Sequence, residues 1–147
     1  MLLYYFGDRR GLLEQALDAS RPNAGNIFRG VTTAEDLERA SMNLWRALTR
    51  GEQQRSVRML LQVLSLATTD PDTYGEFAQT AIDLMLDPIT GAFIAVGFGP
   101  QDSAARATLI VSGLRGLCQD LLISGDRARV DAAARLIVNG AVRNVDG

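Results

Sequence analysis

The chain has 147 residues, 47% of them apolar, and a formal charge of −2. That is enough for one domain with its own core, and the balance of charge does not suit a protein that binds polyanions over its whole surface. Its 15 basic residues are all arginine and it has no histidine. A Ser-His-Asp triad, an imidazole general base and the commonest zinc ligand are therefore excluded within it. The single cysteine, Cys118, cannot form an internal disulfide, which fits a reducing compartment. The N-terminus carries no basic region, and no apolar run approaches the roughly 20 residues that span a bilayer. A cytoplasmic protein with no membrane attachment, cofactor or metal is expected.

The periodicity is helical almost throughout, with no alternating, strand-like stretch and no internal repeat. Residues 1–6 read as the end of a helix closed by Gly7, and Asp8 is placed to cap a second helix carrying Leu12, Leu13, Ala16 and Leu17. That helix ends before Pro22, and a polar loop follows around Asn23–Gly30. Thr32 with Glu35 suggests a capping box. The helix behind it stripes Leu37, Ala40, Leu44, Trp45 and Leu48 along one side and closes at Gly51. Residues 52–68 place apolar side chains nearly all round a helix, which predicts a central, largely buried element.

Asp70-Pro71 breaks the chain, with Asp70 or Asp72 as the next cap and Pro71 suited to a first turn. The following helix holds Tyr74, Phe77, Ala81, Ile82 and Met85, and Pro88 is expected to kink or interrupt it. It resumes through Phe93 and Ile94 until Gly97-Phe98-Gly99-Pro100. Asp102 or Ser103 then begins a helix to Ser124. Ser124-Gly125-Asp126 turns into the last, with Val130, Ala133, Ala134, Ile137 and Ala141 along one side. Short connections between helices favour an all-α bundle of antiparallel neighbours.

One stretch is more specific than the rest: Leu2-Leu3-Tyr4-Tyr5-Phe6-Gly7-Asp8-Arg9-Arg10-Gly11-Leu12-Leu13. The aromatic triplet alone suits ordinary boundary packing. Its continuation into a glycine turn, a cap and a basic residue resembles the junction after the recognition helix in TetR-family transcriptional regulators. A helix N-terminus with unpaired amides attracts a phosphate, and an arginine there adds a charge-assisted bond. The resemblance implies DNA phosphate contacts at Tyr4 and Arg9, and also at Tyr5. Leu3 departs from the family pattern, where a tyrosine is frequent.

Leu109-Ile110-Val111-Ser112-Gly113-Leu114 and Leu121-Leu122-Ile123-Ser124-Gly125-Asp126 also resemble the family's penultimate helix and its turn into the last. The resemblance implies a homodimer in which these two helices form a four-helix bundle with their copies. Leu109, Gly113, Leu117, Leu121, Ala133 and Ile137 are the candidate interface residues. An intramolecular hairpin against the core fits the same residues. Residues 1–21 then read as the remnant of a DNA-binding head, and 22–147 as a TetR-like effector-binding and dimerisation domain. On this reading Met1 already lies near the end of the recognition helix, so the chain by itself is expected to lack sequence-specific DNA affinity. Operator DNA would be a partner of the longer form.

The resemblance also implies a small, hydrophobic effector bound in a cavity among the middle helices. Met42, Trp45, Met59, Phe77, Met85 and Phe93 are the large side chains able to line its pocket, although all fit a plain core. Gln54, Arg58, Gln62 and Ser65 share one stripe, which reads as a solvent face, with Gln62 as the polar pocket candidate. No basic residue lies between Arg58 and Arg106, while six acidic ones do, and Asp83 within an apolar run is placed to meet a cationic ligand. Two functions fit: a ligand-responsive regulator, expected to be a repressor, or a dimerisation or ligand-binding module that never touches DNA. No acid-base pair, nucleophile motif or glycine-rich phosphate loop argues for an enzyme.

Overall fold

The computed structural model describes Gly11 and residues 24–50 and 54–143. Apart from Gly11, the expected DNA-contacting corner at 1–21, with Tyr4, Tyr5 and Arg9, lies outside the described residues, as does Gly51. Among the described residues the fold is all-α and contains no strand. Its helices are α1 (Ala24–Ile27), α2 (Ala34–Thr49), α3 (Gln54–Thr69), α4 (Pro71–Val96), α5 (Pro100–Ser124) and α6 (Arg127–Val142). The stretch read as a polar loop includes the single turn α1, which places Ala24 and, just after it, Phe28 in the core.

The cap of α2 is displaced by one residue from its expected place. Thr33 accepts from the Asp36 amide at 3.1 Å, and the Asp36 carboxylate accepts from the Thr33 amide at 3.2 Å. Thr32 adds its own amide to the same carboxylate at 3.1 Å. Aspartate, one methylene shorter than the glutamate of the usual box, closes this tighter ring. Thr33→Ala is expected to cost about 1 kcal/mol. Donors from Thr32 and Thr33, the Thr32 amide foremost, hold the Asp36 carboxyl below its ordinary 3.8. A depressed folded value stabilises the fold above the unfolded value and is lost as pH falls through the folded one. Asp36→Asn should therefore melt below the wild type at neutral pH, with the gap closing below pH 3.8. A gap that stays constant down to pH 2 would show that the charge plays no part.

Pro88 does not interrupt α4, which runs unbroken for 26 residues. The missing amide deprives only the Leu84 carbonyl, on an exposed residue where water can replace it. At its start, Asp70 caps α4 through the Thr73 amide with Pro71 at the first position, as the sequence suggests. The next helix begins earlier than expected. Pro100 opens α5 behind Gly99, and Ser103, instead of capping, turns its hydroxyl to the Phe98 carbonyl at 3.3 Å. Positive φ at Gly97 (120°) and Gly125 (69°) reverses the chain at both ends of α5.

The core gathers around α2, whose Leu37, Leu44 and Trp45 meet α4 (Ile89, Phe93), α5 (Ile110, Leu114) and α6 (Val130, Ala134, Val138). On α6 the buried seam runs through Val138, leaving Ala133 and Ile137 half-buried at its flank. The helix expected to be central, α3, is amphipathic instead. Val57, Met59, Leu60 and Val63 are buried, Leu61, Leu64 and Leu66 only partly, and Gln54, Arg58, Gln62 and Ser65 are exposed. It packs chiefly on α4 and barely touches α2. Its all-round apolar pattern therefore overstates its burial.

Candidate functional site

Four helices each give one stripe at i, i+3 or i+4 spacing to a narrow apolar slot. The stripes are Leu44 and Leu48 of α2, Val57, Leu60, Leu61 and Leu64 of α3, Ala81, Ile82 and Met85 of α4, and Val111, Leu114, Arg115 and Cys118 of α5. The recess and its mouth together take in about 480 Å³ of non-atom space, part of it open to solvent, of which about 30 Å³ is wide enough for the centre of a water molecule. That is room for one or two waters, so a ligand of ordinary size must part the walls. The slot lies where packing is sparse, between α3 and the α2–α5 wall.

Two of its residues carry chemistry. Burial pushes the Cys118 thiol up to about 12, against the opposing pull of the Arg127 charge, so it stays protonated and unreactive at neutral pH. Arg115 is half-buried and is, among the described residues, the single charged one lining the slot; loss of solvent lowers its pKa. Its Nη2 donates to Ser112 Oγ at 3.3 Å.

Of the sequence-predicted pocket residues, Met85 alone lines the slot. Trp45 lies behind it in the core, with Nε1 donating to Asp131 Oδ1 at 2.7 Å. Phe93 is fully buried, edge-on to Phe98 at 5.7 Å. Met42 packs on the main core from its margin, and Met59 belongs to a separate cluster with Val63 and Tyr74. Gln62 and Phe77 are exposed, and Asp83 accepts from Gln79 Nε2 at 3.0 Å outside the slot. Sequence reasoning sought the largest side chains, whereas the lining is mainly aliphatic. The signal that would have found it is the leucine pairs at helical spacing, with one arginine set inside the apolar run of α5.

A second feature lies on the outside of the α5–α6 hairpin. One face of α5 feeds the core while its opposite face, a mixture of small, apolar and uncharged polar residues such as Thr108, Leu109, Ser112, Gly116 and Ile123, stays uncovered. Its most apolar 18-residue window is only 28% buried, and by length and composition alone α5 would be able to cross a membrane. A search for uninterrupted apolar runs misses this because charged residues punctuate the helix. Leu109 is 46% exposed, Ile123 81% and Leu136 of α6 74%. Gly116 and Gly140 also lie on exposed positions, and a Cβ at either would meet nothing.

The expected interface residues divide between the two sides of the hairpin. Gly113 and Ile137 meet each other within the chain: a Cβ on Gly113 would come 2.8 Å from Ile137 Cδ1. Leu117 and Leu121 pack partly on the core and Ala133 is half-buried, which leaves Leu109 on the open face. At the hairpin's closed end Arg129 grips Asp120 through two hydrogen bonds, 2.6 and 2.9 Å, which lower the Asp120 pKa.

A wider groove, about 1210 Å³ of non-atom space and open to solvent, lies where α4 turns into α5 beside Glu38, Asp102 and Arg143, and its lining is apolar and polar in similar measure. Among the described residues no three His, Cys, Asp or Glu side chains converge as metal ligands. Comparison of the chain with protein-family models, curated proteins and solved structures gives no match.

Proposed function

We propose that the chain acts as the effector-sensing and dimerising domain of a TetR-type transcriptional repressor. The reading is carried by the outer face of the α5–α6 hairpin, where Leu109, Ile123 and Leu136 stand exposed around small residues. A surface of this kind favours burial against its own copy by a two-fold axis, since small residues let helices approach and leucines fill between them. The Tyr4–Leu13 stretch adds the resemblance to a phosphate-gripping corner, with Tyr4, Tyr5 and Arg9 as its contacts. The slot beneath α3 supplies the place for a small hydrophobic effector. Ligand entry would part α3 and α4 from α2 and α5, biasing the dimer between two spacings of its DNA-reading heads.

Sedimentation equilibrium tests the dimer. The wild type is expected at about twice the 15.9 kDa of the chain. Gly116→Arg and Leu136→Arg should each yield a monomer with unchanged helical circular dichroism, because neither position is packed within the chain. A wild type that remains monomeric at tens of micromolar, or variants that still dimerise, would defeat the reading.

A further inference from the structure

We propose that the ligand of the slot is a lipophilic carboxylate whose head pairs with Arg115. This rests on the effector-site reading above and names the class of ligand. Arg106, Arg115 and Arg127 are the arginines of the described helices that are buried or partly buried, and their surroundings differ. Arg127 is engaged by Thr49 and Asp131. Arg106 is met by the Asp102 carboxylate, the carbonyls of Ala141 and Arg143, and the face of Phe98. Arg115 has the Ser112 hydroxyl at 3.3 Å, and the described residues place no carboxylate within ion-pair distance of it.

A guanidinium offers five N–H donors in a planar fork, and one serine satisfies few of them. The fork matches a carboxylate held bidentately. The remaining wall is aliphatic apart from the Cys118 thiol, which burial keeps protonated and so without charge. Asp83 neighbours the lining residue Ile82 but is engaged by Gln79 and does not enter the slot. The slot wall is almost wholly apolar, so Arg115 lines it with its aliphatic stem and holds its charge at the mouth beside the exposed Ser112. There it repels a cation and pairs more strongly with an acid head than with a neutral hydroxyl. Leu61 and Leu64 are only half-buried, α3 has few contacts with α2, and Met85 is adaptable, so the slot can widen between α3 and α2.

The test is calorimetric titration of the full 147-residue chain with decanoate, decanol and decyltrimethylammonium. Decanoate is expected to bind at least about tenfold more tightly than decanol, the usual gain from a charged hydrogen-bonded pair, and the cation is expected not to bind. Arg115→Gln should erase the advantage of decanoate without weakening decanol, and Arg115→Lys should keep part of it. Leu60→Trp, which fills the slot, should block both ligands. Equal affinity of decanoate and decanol, preference for the cation, or an Arg115→Gln variant that still favours the acid would overturn the carboxylate assignment while leaving the slot as an effector site. Failure of all three to bind, or binding indifferent to Leu60→Trp, would remove the effector site as well.

Discussion

Trp45→Ala is expected to lower the free energy of unfolding by about 3–5 kcal/mol, the range for deleting a buried aromatic side chain. Trp45 is 2% exposed and stands where α2 meets α6. Its loss opens a cavity among residues that cannot collapse into it, because α2 is enclosed by α4, α5 and α6. The indole also donates to Asp131 Oδ1 at 2.7 Å, and Asp131 stands 3.7 Å from Arg127. Arg127 in turn donates to Thr49 Oγ1 and to the Thr49 carbonyl, at 3.0 and 2.9 Å, closing the C-terminal end of α2. Trp45→Phe keeps most of the volume and loses the donor, so it should cost about 1–2 kcal/mol. Urea unfolding followed by circular dichroism at 222 nm separates the two. A Trp45→Ala loss below 1 kcal/mol would mean that the α2–α6 contact contributes little.

Arg106→Ala carries the second large effect, about 2–4 kcal/mol. The guanidinium donates to Asp102 at 2.9 Å, to the Ala141 carbonyl at 2.8 Å and to the Arg143 carbonyl at 2.5 Å. Those carbonyls belong to the last turn of α6 and its C-cap residue, where acceptors lack helical partners and a positive charge is favoured by the helix dipole. Phe98 lies 4.2 Å beneath the guanidinium carbon and adds a cation–π contact. Truncation leaves the carbonyls unsatisfied and a hole over Phe98. The ion pair itself is the smaller part, since the Asp102 side chain is 53% exposed. Asp102→Asn should cost less than about 1 kcal/mol. Arg106→Lys should recover less than half of the loss, because an ammonium cannot reproduce the fork. Amide exchange in the last turn of α6 should quicken in Arg106→Ala well beyond the rest of the bundle. Uniform acceleration would point to general destabilisation in place of a lost cap.

Much of the fold is legible in the residues taken in order. Asp70-Pro71 and Ser124-Gly125-Asp126 mark helix boundaries because proline lacks an amide, glycine permits positive φ and aspartate satisfies free amides. The stripe Leu37–Leu48 identifies the inner side of α2. Arg115 is less legible: an arginine in an apolar helix reads the same whether it reaches water or lines a slot. Arg106 and Arg115 differ by what the end of α6 and the flank of α4 bring beside them, which spacing within α5 does not encode.

By itself the sequence determined an all-α chain, its punctuation and the apolar stripe of most helices, because these depend on interactions within a few residues along the backbone. It named Trp45, Phe93 and Met85 as large apolar anchors but not which of them border empty space. Only the tertiary structure decided that Trp45 and Phe93 fill the core, that Met85 borders the slot, and that Gly113 is spent on Ile137 while Gly116 stays open. It likewise kept α4 continuous through Pro88 and left one side of α3 exposed. The physical reason is common to all of these. A side chain's periodicity says which way it points, and the helix packed opposite decides whether it meets a partner, a cavity or water.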